Sequence, residues 1–127
     1  MREPSVTAFV LCDDITTSAG TTDQKDLSGA GLAMIRASDV YPIKRSFWTY
    51  LELADGKPTG NVRLAIMRAD SGRRLFFRSI PVQFSSPFQS TLVAIRVFEC
   101  VFPAAGVYYV ELWYDENWVV DQRLEVI

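Results

Sequence analysis

From Ser46 onward the chain alternates apolar and polar side chains with a period of two, and glycine, proline and aspartate interrupt the alternation at short intervals. A period of two puts successive side chains on opposite faces of a strand, whereas a helix repeats every 3.6 residues. Ser46–Ala54 (SFWTYLELA) sets Phe47, Thr49, Leu51 and Leu53 against Trp48, Tyr50 and Glu52, and the first set makes the better core face. Asp55-Gly56-Lys57-Pro58-Thr59-Gly60 is strong turn chemistry. Val62, Leu64 and Ile66 then share a face, with Arg63 on the other. Asp70-Ser71-Gly72 reads as a tight hairpin into Arg73–Ile80, where Leu75 and Phe77 oppose Arg74, Phe76 and Arg78. The proline-flanked Pro81–Pro87 stretch fits an edge segment or a corner.

The remaining segments read the same way. Ser5–Cys12 is apolar on both faces, as expected for a strand inside the fold, and Thr16–Lys25 is a polar loop. Leu27–Ile35 reads as a strand weakened by Gly29 and Gly31, with a helix over Leu32–Ser38 as the competing assignment, bounded by Pro42. Ser90–Phe102 is the longest apolar run. In the last hairpin the even positions Tyr108, Val110 and Leu112 must share a face with Trp118, Val120, Leu124 and Val126. That match requires paired numbers with an even sum. A three-residue loop, Asp115-Glu116-Asn117, satisfies it with Asn117 left-handed, and sets Tyr109 opposite Arg123 and Glu111 opposite Asp121. The expectation is an all-β antiparallel sandwich of about eight strands, immunoglobulin-like or C2-like in general architecture, forming a single domain over residues 1–127.

Histidine is absent from the 127 residues, which removes the usual general base near neutral pH and the commonest transition-metal ligand. Cys12 and Cys100 lie in apolar strands, where a thiol pKa rises, and two cysteines are too few for a disulfide scaffold. No nucleophile elbow, phosphate loop or dinucleotide fingerprint occurs. The expectation is therefore a non-enzyme without a cofactor. A net charge of −2 gives no long-range attraction to nucleic acid or an anionic membrane. The Met1-Arg2-Glu3-Pro4 start does not resemble a signal peptide, and no apolar run approaches the ~20 residues of a membrane span. A cytoplasmic protein with reduced thiols is expected.

Phe9-Val10-Leu11-Cys12-Asp13-Asp14, the polar loop after it, the glycine-containing second strand and the closing Gly106-x-Tyr108-x-Val110 hairpin resemble one family. It is an uncharacterised group of small bacterial β-sandwich proteins whose N-terminal strand ends in Cys-Asp-Asp. The resemblance implies an all-β sandwich of bacterial cytosolic origin and supplies no activity, ligand or catalytic residue.

Three constellations could carry function. Trp48, Tyr50, Trp113 and Tyr109 fall on the faces opposite the expected cores, where exposed aromatics mark a protein partner or a homo-oligomer contact. Arg63, Arg74 and Arg78 could form an anion patch, if Arg63 and Arg78 share an outward face, or could simply guard an exposed sheet. Asp13, Asp14, Asp23 and Asp26 flank the first loop and could hold calcium, which takes about six to eight oxygens; a solvated loop explains them equally well. The leading expectation is a protein-interaction or self-association module working through an outer sheet face. A small-ligand or calcium module using the Asp13–Asp26 loop is the alternative.

Overall fold

The structure, a computed structural model, describes residues 5–17, 25–28, 31–36, 40–54, 59–83 and 90–127. Within them the strands are β1 (Ser5–Cys12), β2 (Asp14–Thr17), β3 (Lys25–Ser28), β4 (Met34–Ile35), β5 (Ile43–Ala54), β6 (Thr59–Arg68), β7 (Arg74–Gln83), β8 (Thr91–Phe102), β9 (Gly106–Tyr114) and β10 (Asn117–Val126). No described residue is helical. The fold is the all-β sandwich that the alternation predicts. One sheet has the order β1-β5-β8 and the other β4-β10-β9-β6-β7, while β2 and β3 form a separate ribbon. Every pairing among the described residues is antiparallel except β4 with β10.

The two sheets enclose a hydrocarbon interior. The small sheet contributes Phe9, Leu11, Phe47, Leu51, Leu53, Val93, Ile95, Val97 and Phe102. Facing them from the large sheet are Val62, Leu64, Ile66, Tyr108, Val110, Leu112, Tyr114, Leu124 and Val126. These are the parities that the sequence assigns to β5, β6 and β9. Thr49 is the one buried polar residue among those described, and no hydrogen-bond partner meets its hydroxyl. Tyr108 closes the corner between β8 and β9. Its ring meets Phe102 edge to face at 5.0 Å, and its hydroxyl donates to the Ala104 carbonyl at 2.7 Å.

Gly60 is fixed by packing. A Cβ there would collide with the Tyr114 hydroxyl and the ring carbon bearing it, and would come within 2.8 Å of the neighbouring Cε1. Because that ring is itself enclosed in the core, it cannot swing away.

Four expectations need correcting or refining, and β-bulges or interrupted strands cause three of them. First, Leu27–Ile35 is not one strand. Its start pairs with β2, so the loop expected over Thr16–Lys25 begins and ends as strand. Its end makes the short parallel contact with β10. Between them, Gly31 takes φ +82° and both Gly31 and Leu32 donate to the Leu11 carbonyl. Residues 32–36 carry no helix; the rest of the competing helix lies outside the described residues, as does Gly29. Second, β1 lies inside the fold as expected, with Leu11 and Cys12 enclosed on its two faces, but it does so at the edge of the small sheet.

Third, the last hairpin turns on two residues. Tyr114 pairs with Asn117 and Trp113 with Trp118, an odd sum. A bulge between Trp118 and Val120 then restores the even sum. Tyr109 thus does face Arg123, and Glu111 faces Asp121, but Trp118 leaves the core side and is 52% exposed. The left-handed residue is Asp115 (φ 53°) rather than Asn117. It is held across to β6, its amide donating to the Asn61 carbonyl and its carboxylate accepting from the Asn61 amide.

Fourth, a bulge in β7 makes Ile66 pair with Phe76 but Met67 with Arg74, leaving Leu75 without an opposite number. Phe76 packs on the core and Phe77 is 47% exposed.

Candidate functional site

The registers of β7, β6, β9 and β10 define the outer face of the large sheet as a grid, because directly paired residues share a face. One row runs Ser79, Arg63, Trp113, Trp118. The next runs Phe77, Ala65, Glu111, Asp121. The third runs Arg74, Met67, Tyr109, Arg123. Ala65, the smallest side chain at the centre of the grid, lies at the bottom. The larger residues around it leave a hollow of about 350 Å³, lined by Arg63, Ala65, Met67, Arg74, Phe77, Glu111, Trp113 and Glu116.

The charges on this face are poorly neutralised from within. Arg74 rests its guanidinium over the Phe77 ring at 4.7 Å, a cation–π contact that leaves its N–H groups available. Arg123, the cross-strand neighbour of Tyr109, is ion-paired with Glu125 at 3.4 Å. Among the described residues Arg63, Glu111, Glu116 and Asp121 have no ion-pair partner. Glu111 and Asp121 lie directly opposite each other on neighbouring strands, and like charges so placed repel. The cations occupy the β6–β7 side of the hollow and the carboxylates occupy the β9–β10 side.

The expected interaction residues therefore separate. Trp113 and Tyr109 sit on this face, whereas Trp48 and Tyr50 occupy the outer face of the small sheet, on the far side of the sandwich. There Trp48 is paired with Cys12 on β1 and Arg96 on β8, and Tyr50 with Val10 and Ala94. Both aromatics are half-buried, and Cys12 beneath them is fully enclosed. Burial pushes the Tyr50 hydroxyl pKa up, and the neighbouring Glu52 carboxylate adds to the shift. Arg96 lies over the Phe98 ring at 4.7 Å.

The anion patch also divides. Arg63 and Arg74 line the hollow, but Arg78 pairs with Leu64 and falls on the opposite side of β7. Arg63 and Arg78 do not share a face. Arg74 and Arg78 have the same parity in sequence, and the Leu75 bulge between them reverses the relation.

At the first loop, the Asp13 carboxylate is ion-paired with Arg45, so this oxygen donor already has a cation. Asp14 stands opposite Ser28, and Asp26 opposite Thr16; Asp23 lies outside the described residues. Among the described residues no three His, Cys, Asp or Glu side chains come together as metal ligands would. The two cysteines are buried thiols on different faces of the small sheet, Cys12 outward against Trp48 and Cys100 in the core. Burial pushes the Cys100 thiol up to about 11, far from a reactive thiolate at neutral pH.

Sequence reasoning did not single out Phe77, Glu111, Glu116, Trp118 or the floor residue Ala65. Glu111 carries the one signal available, since the even-sum register sets it beside the like-charged Asp121. Trp118 and Phe77 were hidden by bulges that alternation does not reveal.

Fold and face together describe a two-sheet β-sandwich with a mixed-charge hollow on its larger sheet. No family model matches this chain and no curated protein matches it. Among solved structures it is similar to a β-glucosidase from Erythrobacter marinus, at 11% identity and a TM-score of 0.50, over 94% of this chain and 15% of that one. A second is a β-glucosidase from Listeria innocua, at 9% identity and a TM-score of 0.46, over 94% of this chain and 16% of that one. The chain thus spans about a sixth of the length of these structures. At such identities the likeness concerns the fold alone.

Proposed function

We propose that this chain is a non-enzymatic immunoglobulin-like binding module whose working surface is the outer face of the large sheet. The strand order supports the architecture: β1-β5-β8 against β10-β9-β6-β7 fits an A-B-E sheet packed on a G-F-C-C′ sheet. The Tyr108 bond to Ala104 occupies the place of the tyrosine corner before strand F. A bacterial cytoplasmic setting and the family resemblance belong to the same proposal. The observation that carries the binding role is the hollow over Ala65, where two arginines and two glutamates, with Asp121 beside Glu111, surround aromatic walls with little internal neutralisation. Surface charges normally gain little from such crowding, and exposed apolar patches with polar rims mark interaction sites. The absence of histidine and the raised Cys100 pKa favour binding over catalysis.

A photo-cross-linking residue placed at Met67, on the large-sheet face, should trap a protein partner in cells. The same probe at Leu92, on the small-sheet face, should not. Adducts from Leu92 alone, or from neither position, would remove this reading.

A further inference from the structure

We infer that the occupant of this face is a second copy of the same chain. The two large sheets would pack face to face about a two-fold axis running along the strands between β6 and β9. The inference rests on the binding-face reading and names its partner.

The argument is one of charge complementarity. The hollow is bipolar, with Arg63 and Arg74 on the β6–β7 half and Glu111 and Glu116, with Asp121 beside them, on the β9–β10 half, while Arg123 on β10 is paired with Glu125. A bipolar surface fits itself when a two-fold axis runs between its halves, because a closed symmetric contact sets each patch against its complement. An axis between β6 and β9 brings the β9 of one copy over the β6 of the other, row for row. Glu111 of each copy then stands over the Ala65 of the other, the floor of the hollow. Arg63 is two residues along β6 from that floor, roughly 7 Å away, within reach of a guanidinium on its flexible stem. Arg74, on the neighbouring strand, falls opposite Arg123 of the other copy, whose charge Glu125 already meets. In the same arrangement Arg63 lies against the Trp113 ring of the other copy, a favourable cation–π geometry.

The Glu111–Asp121 repulsion also acquires a reason. Two directly opposed carboxylates destabilise an isolated sheet, and an arginine inserted from the second copy relieves them. The size is adequate as well. Four strands of nine or ten residues present a planar area on the order of 600 Å², comparable with the ~800 Å² of accessible surface that each partner contributes to a standard interface. Trp113, Trp118, Tyr109, Met67 and Phe77 surround the central Ala65 and Glu111 with the aromatic-rich surface typical of such contacts.

Sedimentation equilibrium over a concentration series tests this with charge reversals. The wild-type chain should be a dimer. Arg63→Glu alone and Glu111→Arg alone should each weaken association by at least about tenfold. An equimolar mixture of the two variants should recover the dimer. One chain then carries carboxylates at both positions and the other carries guanidinium groups at both, so both 63–111 contacts across the axis are opposite in sign. The double variant, with the two charges exchanged within one chain, should recover it too. Circular dichroism checks that each chain is folded, and the recovering mixture guards against a folding defect. A wild-type monomer at every concentration overturns the inference, as does a dimer indifferent to both reversals or a mixture that stays monomeric. If the wild type is monomeric while Met67 cross-links to a different protein, self-pairing fails and the binding face stands.

Discussion

The two outer faces of the sandwich both carry aromatics at alternate strand positions, yet they are built differently. On the small sheet, Trp48 and Tyr50 lie among Val10, Ala94 and the enclosed Cys12, and Arg96 rests over Phe98 as Arg74 does over Phe77. On the large sheet, Trp113 and Tyr109 border a hollow and several charges without ion-pair partners among the described residues. An outward aromatic is thus an ambiguous sign. The first face uses its rings to cover a strand, whereas the second leaves its rings beside unsatisfied electrostatics. What the large-sheet face has beside its rings is the hollow over Ala65.

Tryptophan truncation should give the largest contrast. Trp48→Ala should cost about 3 kcal/mol in urea unfolding, near the lower end for a core tryptophan, and should make Cys12 reactive towards a thiol reagent in the folded protein. Trp113→Ala should cost under about 1 kcal/mol of protomer stability. Equal losses, with Cys12 still inert, would erase the distinction between the faces.

The two thiols extend the comparison inward. Burial raises the folded-state Cys100 pKa to about 11, above the roughly 8.5 of an unfolded thiol. The raised value favours the protonated form in the fold, so this stabilisation is complete below about pH 8.5. It should fall away as the pH rises towards the folded value, by on the order of 2–3 kcal/mol. Denaturant melts of the wild type against Cys100→Ala should show that excess alkaline slope. Identical slopes would mean that the Cys100 environment is wetter than its burial implies.

The smallest effect has the opposite sign. Glu111→Gln removes the repulsion with Asp121 and should raise protomer stability by up to about 0.5 kcal/mol, while weakening association through the large-sheet face. A loss of stability would show that Glu111 supports the fold, and the contrast between the faces would narrow.

Much of the fold could be read from the alternation, because burial on one face fixes strand parity. The inward residues of β5, β6 and β9 follow it throughout, and the even-sum argument correctly places Tyr109 opposite Arg123. Reading failed where one residue breaks the count. Leu75 and Val119 are bulged without any glycine or proline to announce them, and each moved an aromatic (Phe77 and Trp118) to the outer face. The site was less legible for the same reason. Its arginines looked continuous from Arg63 to Arg78, but the bulge sends Arg78 to the other side. A hollow depends on which small residue falls between large ones on three strands, and that requires the registers of all three.

The parallel contact between β4 and β10 has a mechanical consequence. It rests on the Glu125 amide donating to Ala33 and the Ile127 amide donating to Ile35. Because these two strands run in the same direction, tension applied at the start of β4 and the end of β10 would drag them past each other lengthwise. The bonds would then bear the load side by side, not peel open in succession, so a short seam near the edge of the large sheet would act as its force-bearing lock.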